Sequence, residues 1–138
     1  MPTRSQNLRI AQVTPLPWGQ RHEINEFVEQ TSAQLAERGH DVVVAKHPFK
    51  FNSRAQILGE TDGLAKIIAE KGPDGRPGRI LGVHMVGPWV TEQLSGGYLA
   101  VNWEATVDEV AEFIQPHPSL TELFGETVMA LTGRGFNG

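Results

Sequence analysis

Hydrophobic positions follow two rhythms along this chain. Leu8-Arg9-Ile10-Ala11-Gln12-Val13-Thr14 is rich in β-formers and predicts a strand over 8–14, broken by Pro15-Leu16-Pro17-Trp18-Gly19. Ile24, Phe27, Val28, Thr31 and Leu35 then recur at helical spacing and predict an amphipathic helix over about 21–38, which Gly39 stops. Asp41-Val42-Val43-Val44-Ala45 is a near-continuous apolar run, the pattern of a buried strand. Residues 48–62 lose the rhythm, with Phe49 and Phe51 aimed at the core edge. Leu64–Ala69 and Arg79–Val86 read as two strands of a hairpin whose long turn is Lys71-Gly72-Pro73-Asp74-Gly75-Arg76-Pro77-Gly78. Helical spacing returns after Gly87-Pro88, with Val90, Leu94, Tyr98 and Val101 inward. Thr106-Val107-Asp108-Glu109 is a capping box for a short helix with Val107, Val110, Ala111 and Ile114 inward, stopped by Pro116. A last helix over Leu120–Leu131 turns Leu120, Leu123, Phe124, Val128 and Leu131 inward.

These elements predict an α+β fold in a single domain over residues 1–138. Its sheet is mixed or antiparallel and is built on a long hairpin, 63–86. The helix over 21–38 covers one face, and the helices of 88–131 gather to one side. The strand 8–14 is expected beside the run 41–45, because the helix needs a sheet face for its apolar stripe. Gly96-Gly97 sits in mid-helix, where each Gly costs roughly 1 kcal/mol against Ala, so a close neighbour is expected there: another helix, a partner subunit or a cofactor.

Composition narrows the function classes. A net charge of −4 gives no nucleic-acid footprint, and no apolar run approaches the ~18 residues of a membrane span. Met1–Asn7 carry one Arg and no apolar core, which points away from a secretory signal. The chain has no cysteine, which fits a cytoplasmic setting and removes disulfides, zinc–thiolate sites and any thiol chemistry of its own. No glycine-rich phosphate loop is present, so no cofactor is expected on this chain alone.

The chemistry centres on Gln115-Pro116-His117-Pro118-Ser119-Leu120-Thr121-Glu122. Prolines on both sides hold His117 on a rigid, non-helical approach, and Glu122 falls in the first turn of the last helix. Two readings stand. Ser119 and Glu122 form a capping box, with His117 incidental. Alternatively the Glu122 carboxylate accepts from the imidazole Nδ1 and leaves Nε2 free to trade protons. A Ser119 nucleophile has no accompanying elbow or oxyanion-hole glycine. His22, His40 and His47 lack metal-ligand spacing and read as surface or loop-packing residues, and His84 as a satisfied core or sheet-face histidine. No metal site is expected.

From about residue 46 the chain resembles the C-terminal dimerisation domain of the flavin-dependent disulfide reductases, dihydrolipoamide dehydrogenase above all. The resemblance rests on His47-Pro48-Phe49-Lys50-Phe51-Asn52-Ser53-Arg54-Ala55, Gly59-Glu60-Thr61-Asp62-Gly63, Ile80–Pro88 and His117-Pro118-Ser119-Leu120-Thr121-Glu122, in family order. It implies that His117 is the acid/base for a reactive thiol of the partner subunit, that Glu122 orients it, and that the His117–Pro118 bond is cis. It also implies a homodimer, with the Gly96-Gly97 helix at or near the contact. Many family members carry a second His where Gln115 stands here. The family's FAD domain, NAD domain and redox cysteine pair have no counterpart in these residues. FAD and NAD are therefore implied only for a complete enzyme, and a flavoprotein chain in trans is the implied partner.

Residues about 8–45 resemble something else: the opening β–α–β of a family 4 glycosyltransferase. The matching stretches are Leu8–Trp18, Arg21-His22-Glu23-Ile24-Asn25-Glu26 and Leu35-Ala36-Glu37-Arg38-Gly39-His40-Asp41-Val42. The chain thus reads as a hybrid with a junction within 31–47. Three functions follow: a half-site dimerisation module carrying His117 and Glu122, a glycosyltransferase fragment, or a folded hybrid with no present chemistry.

Overall fold

The computed structural model of the protein describes residues 12–13 and 41–135. Four strands, β1 (Gln12–Val13), β2 (Val42–Pro48), β3 (Leu64–Lys71) and β4 (Pro77–Val86), form one sheet in the order β1-β4-β3-β2. β2, β3 and β4 are antiparallel neighbours, and β1 runs parallel to β4. The hairpin forms as its sequence predicts and extends to a Lys71–Pro77 pair. Its turn is closed by the Gly72 N–H donating to the Arg76 carbonyl at 2.7 Å, with Gly75 at φ +80°. Ala65, Lys66, Ile67, Ile68 and Ala69 of β3 are all buried, as expected of an inner strand with both faces covered.

Helix α1 (Ser53–Leu58) lies between β2 and β3, and three more follow β4: α2 (Val90–Asn102), α3 (Val107–Ala111) and α4 (Glu122–Leu131). The core lies between one sheet face and these helices, with Ile67, Val83 and Met85 meeting Leu94, Val110, Leu123 and Val128. The Thr106–Glu109 capping box is present in full at the start of α3. No described helix is long and apolar enough to cross a membrane. The helix expected over 21–38 lies outside the described residues, as do His22 and His40.

The strand neighbour expected of 8–14 is corrected. Gln12 and Val13 pair with His84 and Met85 of β4, at the sheet edge opposite β2. Apolar patterning marks a strand but is silent on its partner. Here the β3–β4 hairpin is inserted beside β2, so the parallel crossover reaches the open edge of β4.

Two inward residues are also corrected. Tyr98 is 52% exposed, because the buried stripe of α2 runs through Val90, Leu94, Gly97 and Val101 instead. Ile114 is 97% exposed, because α3 ends at Ala111 and helical spacing no longer applies beyond it. Phe49 is buried and Phe51 is not, since they lie in a 3-10 turn, where residues two apart do not share a face.

The close neighbour of the glycine pair lies within the chain itself. A Cβ on Gly97 would sit 2.8 Å from Val83 Cγ1, whereas one on Gly96 would meet nothing within 4 Å. Helix α2 therefore rides on β4 through Gly97 and leaves Gly96 bare on its outer side. Gly97→Ala is expected to lower stability by about 1–3 kcal/mol through overpacking against Val83, read by urea denaturation. An unchanged midpoint would show that Val83 gives way freely.

Candidate functional site

The loop between α3 and α4 carries His117, and Glu122 makes the contact that each sequence reading required of it, one with each carboxylate oxygen. Glu122 is the first residue of α4. Its Oε1 lies 2.9 Å from His117 Nδ1, while its Oε2 accepts from the Ser119 N–H at 2.7 Å. The Glu122 N–H reaches back to Ser119 Oγ at 3.3 Å, which completes the capping pattern. One carboxylate thus starts the helix with one oxygen and holds the imidazole with the other. The His117–Pro118 bond is cis.

The environment differs between the two partners. The His117 side chain is 68% exposed and that of Glu122 only 15%. The imidazole is therefore presented outward from a carboxylate that is itself fixed. With Nδ1 donating to Glu122, Nε2 carries the lone pair and is the proton acceptor. Once protonated, the ring keeps the carboxylate facing its charge. Nothing among the described residues hydrogen-bonds to Nε2, so this edge is open to a reactant.

The loop is anchored from behind. Asn52 lies in the segment joining the 3-10 turn Phe49–Phe51 to α1, and its Nδ2 donates to the Ser119 carbonyl at 3.0 Å. Its Oδ1 accepts from the Ala55 N–H at 2.9 Å and caps α1. A second anchor joins α4 to β2: Glu126 Oε2 stands 3.3 Å from His47 Nε2. Neither atom makes a well-aligned hydrogen bond, and burial pushes the His47 imidazole below its ordinary value, so His47 is neutral here. Burial, and then the Glu122 charge one turn away, hold the Glu126 carboxyl above the usual range, against the opposing pull of His117. The pair is a packed polar contact between two elements and not a full ion pair.

His47 is thus buried between β2 and α4, where the sequence reading put it on a surface or in a loop. Spacing alone gave no sign of Glu126 either, although its place four residues after Glu122 puts it on the same helix face. Asn52 was quoted only as part of a motif; the Asn-Ser pair ahead of α1 is its capping signal. His84 lies on the sheet opposite Lys66 in the β3–β4 ladder, but its buried Nδ1 has no hydrogen-bond partner among the described residues, so the expectation of a satisfied histidine is corrected.

Other chemistry finds little support in the described residues. No group of three or more His, Asp or Glu side chains among them is arranged to hold a metal. The β4-to-α2 junction is closed to a dinucleotide phosphate: a Cβ on Gly87, which precedes α2, would lie 2.8 Å from the Phe49 ring and 2.9 Å from the Asp62 carbonyl oxygen, and Glu92 occupies the first turn.

Comparison with known proteins shows the family and the fold. The model of the family described as the pyridine nucleotide-disulphide oxidoreductase dimerisation domain matches residues 28–128. Dihydrolipoyl dehydrogenase of Bacillus subtilis is 40% identical over 107 residues, which is 78% of this chain and 22% of that protein. The human mitochondrial dihydrolipoyl dehydrogenase is 36% identical over 112 residues, 80% of this chain and 21% of that one. The crystal structure of LpdA from Mycobacterium tuberculosis superposes with a TM-score of 0.65 at 23% identity over 72% of this chain and 21% of that chain, a likeness of fold. The chain spans about a fifth of the length of the curated relatives it matches. With a hairpin-based sheet, helices packed on one face, and a family match over 28–128, the chain belongs to the pyridine nucleotide-disulphide oxidoreductase dimerisation-domain family.

Proposed function

We propose that this chain is the dimerisation half-site of a dihydrolipoyl dehydrogenase-type flavoprotein and that His117 is its acid/base, with Glu122 as the residue that orients it. The observation that carries the reading is the 2.9 Å contact between His117 Nδ1 and a carboxylate locked by its other oxygen, with the second ring nitrogen open. Such a ring can take the proton of a thiol and return it when the thiolate is regenerated as thiol. These 138 residues hold no cysteine, so that thiol, like the flavin and nicotinamide chemistry beside it, comes from outside them. The cysteine-free composition also supports a cytoplasmic setting.

The reading includes a homodimer. Trp89, Glu92, Gly96, Leu99 and Trp103 recur at spacings of three and four along α2, with Gly96 bare at the centre and both tryptophans exposed. A seam with a small residue in its middle and large apolar ones at its ends is self-complementary about a two-fold axis. Sedimentation equilibrium at micromolar concentration is expected to give a dimer, and Gly96→Leu a folded monomer. A wild-type species of 15.2 kDa would remove the dimer from the proposal.

Residues 8–27 precede the segment that the family model matches. The match begins ahead of the junction expected within 31–47, so Leu8–Trp18 and Arg21–Glu26 are what support a glycosyltransferase-like ancestry for this stretch, within a single domain over 1–138 whose sheet includes Gln12–Val13.

The decisive experiment grafts residues 41–135 in place of the matching segment of the Bacillus subtilis enzyme. The graft is expected to restore dihydrolipoyl dehydrogenase activity, and His117→Gln within it to lower kcat/KM by roughly two to four powers of ten. A graft that is active and indifferent to His117→Gln would refute the acid/base role.

A further inference from the structure

We propose that Asn52 is a positioning residue of the site: through its single side chain it sets the loop that presents His117. The proposal rests on reading His117 and Glu122 as an acid–base pair. Asn52 lies 65 positions before His117 in sequence, yet it is bonded to the residue on which the pair depends. Ser119 offers three groups. Its N–H goes to Glu122 Oε2, its Oγ accepts from the Glu122 N–H, and its carbonyl accepts from Asn52 Nδ2 at 3.0 Å. The line of contact therefore runs from Asn52 to the Ser119 peptide, to the Glu122 carboxylate, to the imidazole.

Capping alone does not explain this residue. The cap of α1 uses only Oδ1, which accepts from Ala55 N–H. Ser, Thr or Asp at that position would cap equally well. Asp has no donor, and Ser and Thr have a single oxygen on a shorter stem, whereas Asn52 has two atoms, Oδ1 accepting from the helix and Nδ2 reaching the Ser119 carbonyl. The two partners also fix the amide orientation, since one is an N–H and the other a C=O. Asn52 is 1% exposed, so water does not replace the lost partner cheaply.

Nor is the anchor itself loose. Asn52 follows the 3-10 turn that begins at Phe49, whose ring is fully buried and whose N–H donates to the Gly63 carbonyl at 3.0 Å. Its own N–H donates to the Phe49 carbonyl at 2.8 Å. The loop bearing His117 is otherwise exposed at Pro116, His117 and Pro118. Its position is thus borrowed from the sheet through one amide, with the His47–Glu126 contact steadying α4 below it.

The test separates capping from positioning on the chain as it stands. Asn52→Ser keeps a cap for α1 and removes the amide Nδ2 that reaches the Ser119 carbonyl, leaving one shorter hydroxyl at the cap. Ring nitrogen shifts of [15N]-histidine at alkaline pH report which tautomer His117 adopts, and thermal melting reports the fold. The wild type is expected to show His117 mainly as the Nδ1–H tautomer, held by Glu122. Asn52→Ser is expected to melt within a few degrees of wild type while the ratio of Nδ1–H to Nε2–H falls about twofold or more. Should this variant fail to fold, Asn52→Asp, which caps through its carboxylate and likewise lacks the donor, is read in the same way. A folded variant with the tautomer ratio unchanged would make Asn52 a helix cap only and overturn the proposal. A wild type without an Nδ1–H excess would remove the His117–Glu122 pair itself, a failure of the underlying reading that is visible before any variant is made.

Discussion

Gly63→Ala is expected to be the most damaging single-methyl change in the described fold. Gly63 precedes β3 at φ +119°, and a Cβ there would lie 2.0 Å from the Val86 carbonyl oxygen and 2.9 Å from Gly87 Cα. Both are backbone atoms of the adjoining strand end, so no side chain can rotate out of the way. The Gly63 carbonyl also receives the Phe49 N–H at 3.0 Å, which ties the turn ahead of Asn52 to the sheet. Relief requires moving β3 against β4 or abandoning the Phe49 tether. A loss on the order of 4 kcal/mol or more follows, enough to unfold a marginal domain. Gly59→Ala is the control: Gly59 is also left-handed, at φ +71°, but a Cβ there meets nothing within 4 Å. Only the intrinsic αL penalty of about 1–2 kcal/mol applies. Urea denaturation of both variants decides the matter, and equal midpoints would show that the close approach at Gly63 does not exist.

Acidification is expected to weaken the fold through His84. Burial, and then the Lys66 charge opposite it in the ladder, lower this imidazole from 6.5 to about 4. Between those two values the unfolded chain binds the proton and the folded one does not, so stability falls as pH drops from 6.5 toward 4. Above 6.5 both states are neutral and the group contributes nothing to the slope. The interval from 6.5 to about 4 corresponds to roughly 3 kcal/mol at its lower end. His47, also lowered by burial, acts in the same direction, while Glu126, raised by burial, opposes it. Urea midpoints taken from neutral pH to pH ~4.5 should fall in the wild type and fall distinctly less in His84→Gln. Parallel curves for the two proteins would place the acid sensitivity elsewhere.

The sheet and helices were legible wherever local pattern decides. The hairpin announced itself by two apolar runs around a breaker-rich turn, and α3 by its capping box. The pair His117–Glu122 could be named from a proline-framed histidine and a first-turn carboxylate. What spacing could not decide was whether Glu122 caps or orients, because each use needs only one oxygen and a carboxylate has two. The edge partner of Gln12–Val13 was illegible because pairing between distant strands depends on which edge remains open. Tyr98 misled because helical spacing treats positions 97 and 98 as near-equivalents. The approach of α2 to Val83 then selected the smaller residue. Asn52, His47 and Glu126 act across 67 or 79 positions of sequence, and no local rule connects residues so far apart.

The divided carboxylate bears on how such a chain can change with time. Glu122 starts α4 as well as holding the imidazole, so its loss harms folding whether or not any reaction is being run. Its presence is overdetermined. His117 is not: it is exposed, its one partner is Glu122, and helix α4 begins without its help. Under the proposed acid/base role, a lineage that ceased to meet a flavin would be expected to lose His117 first and leave Glu122 standing.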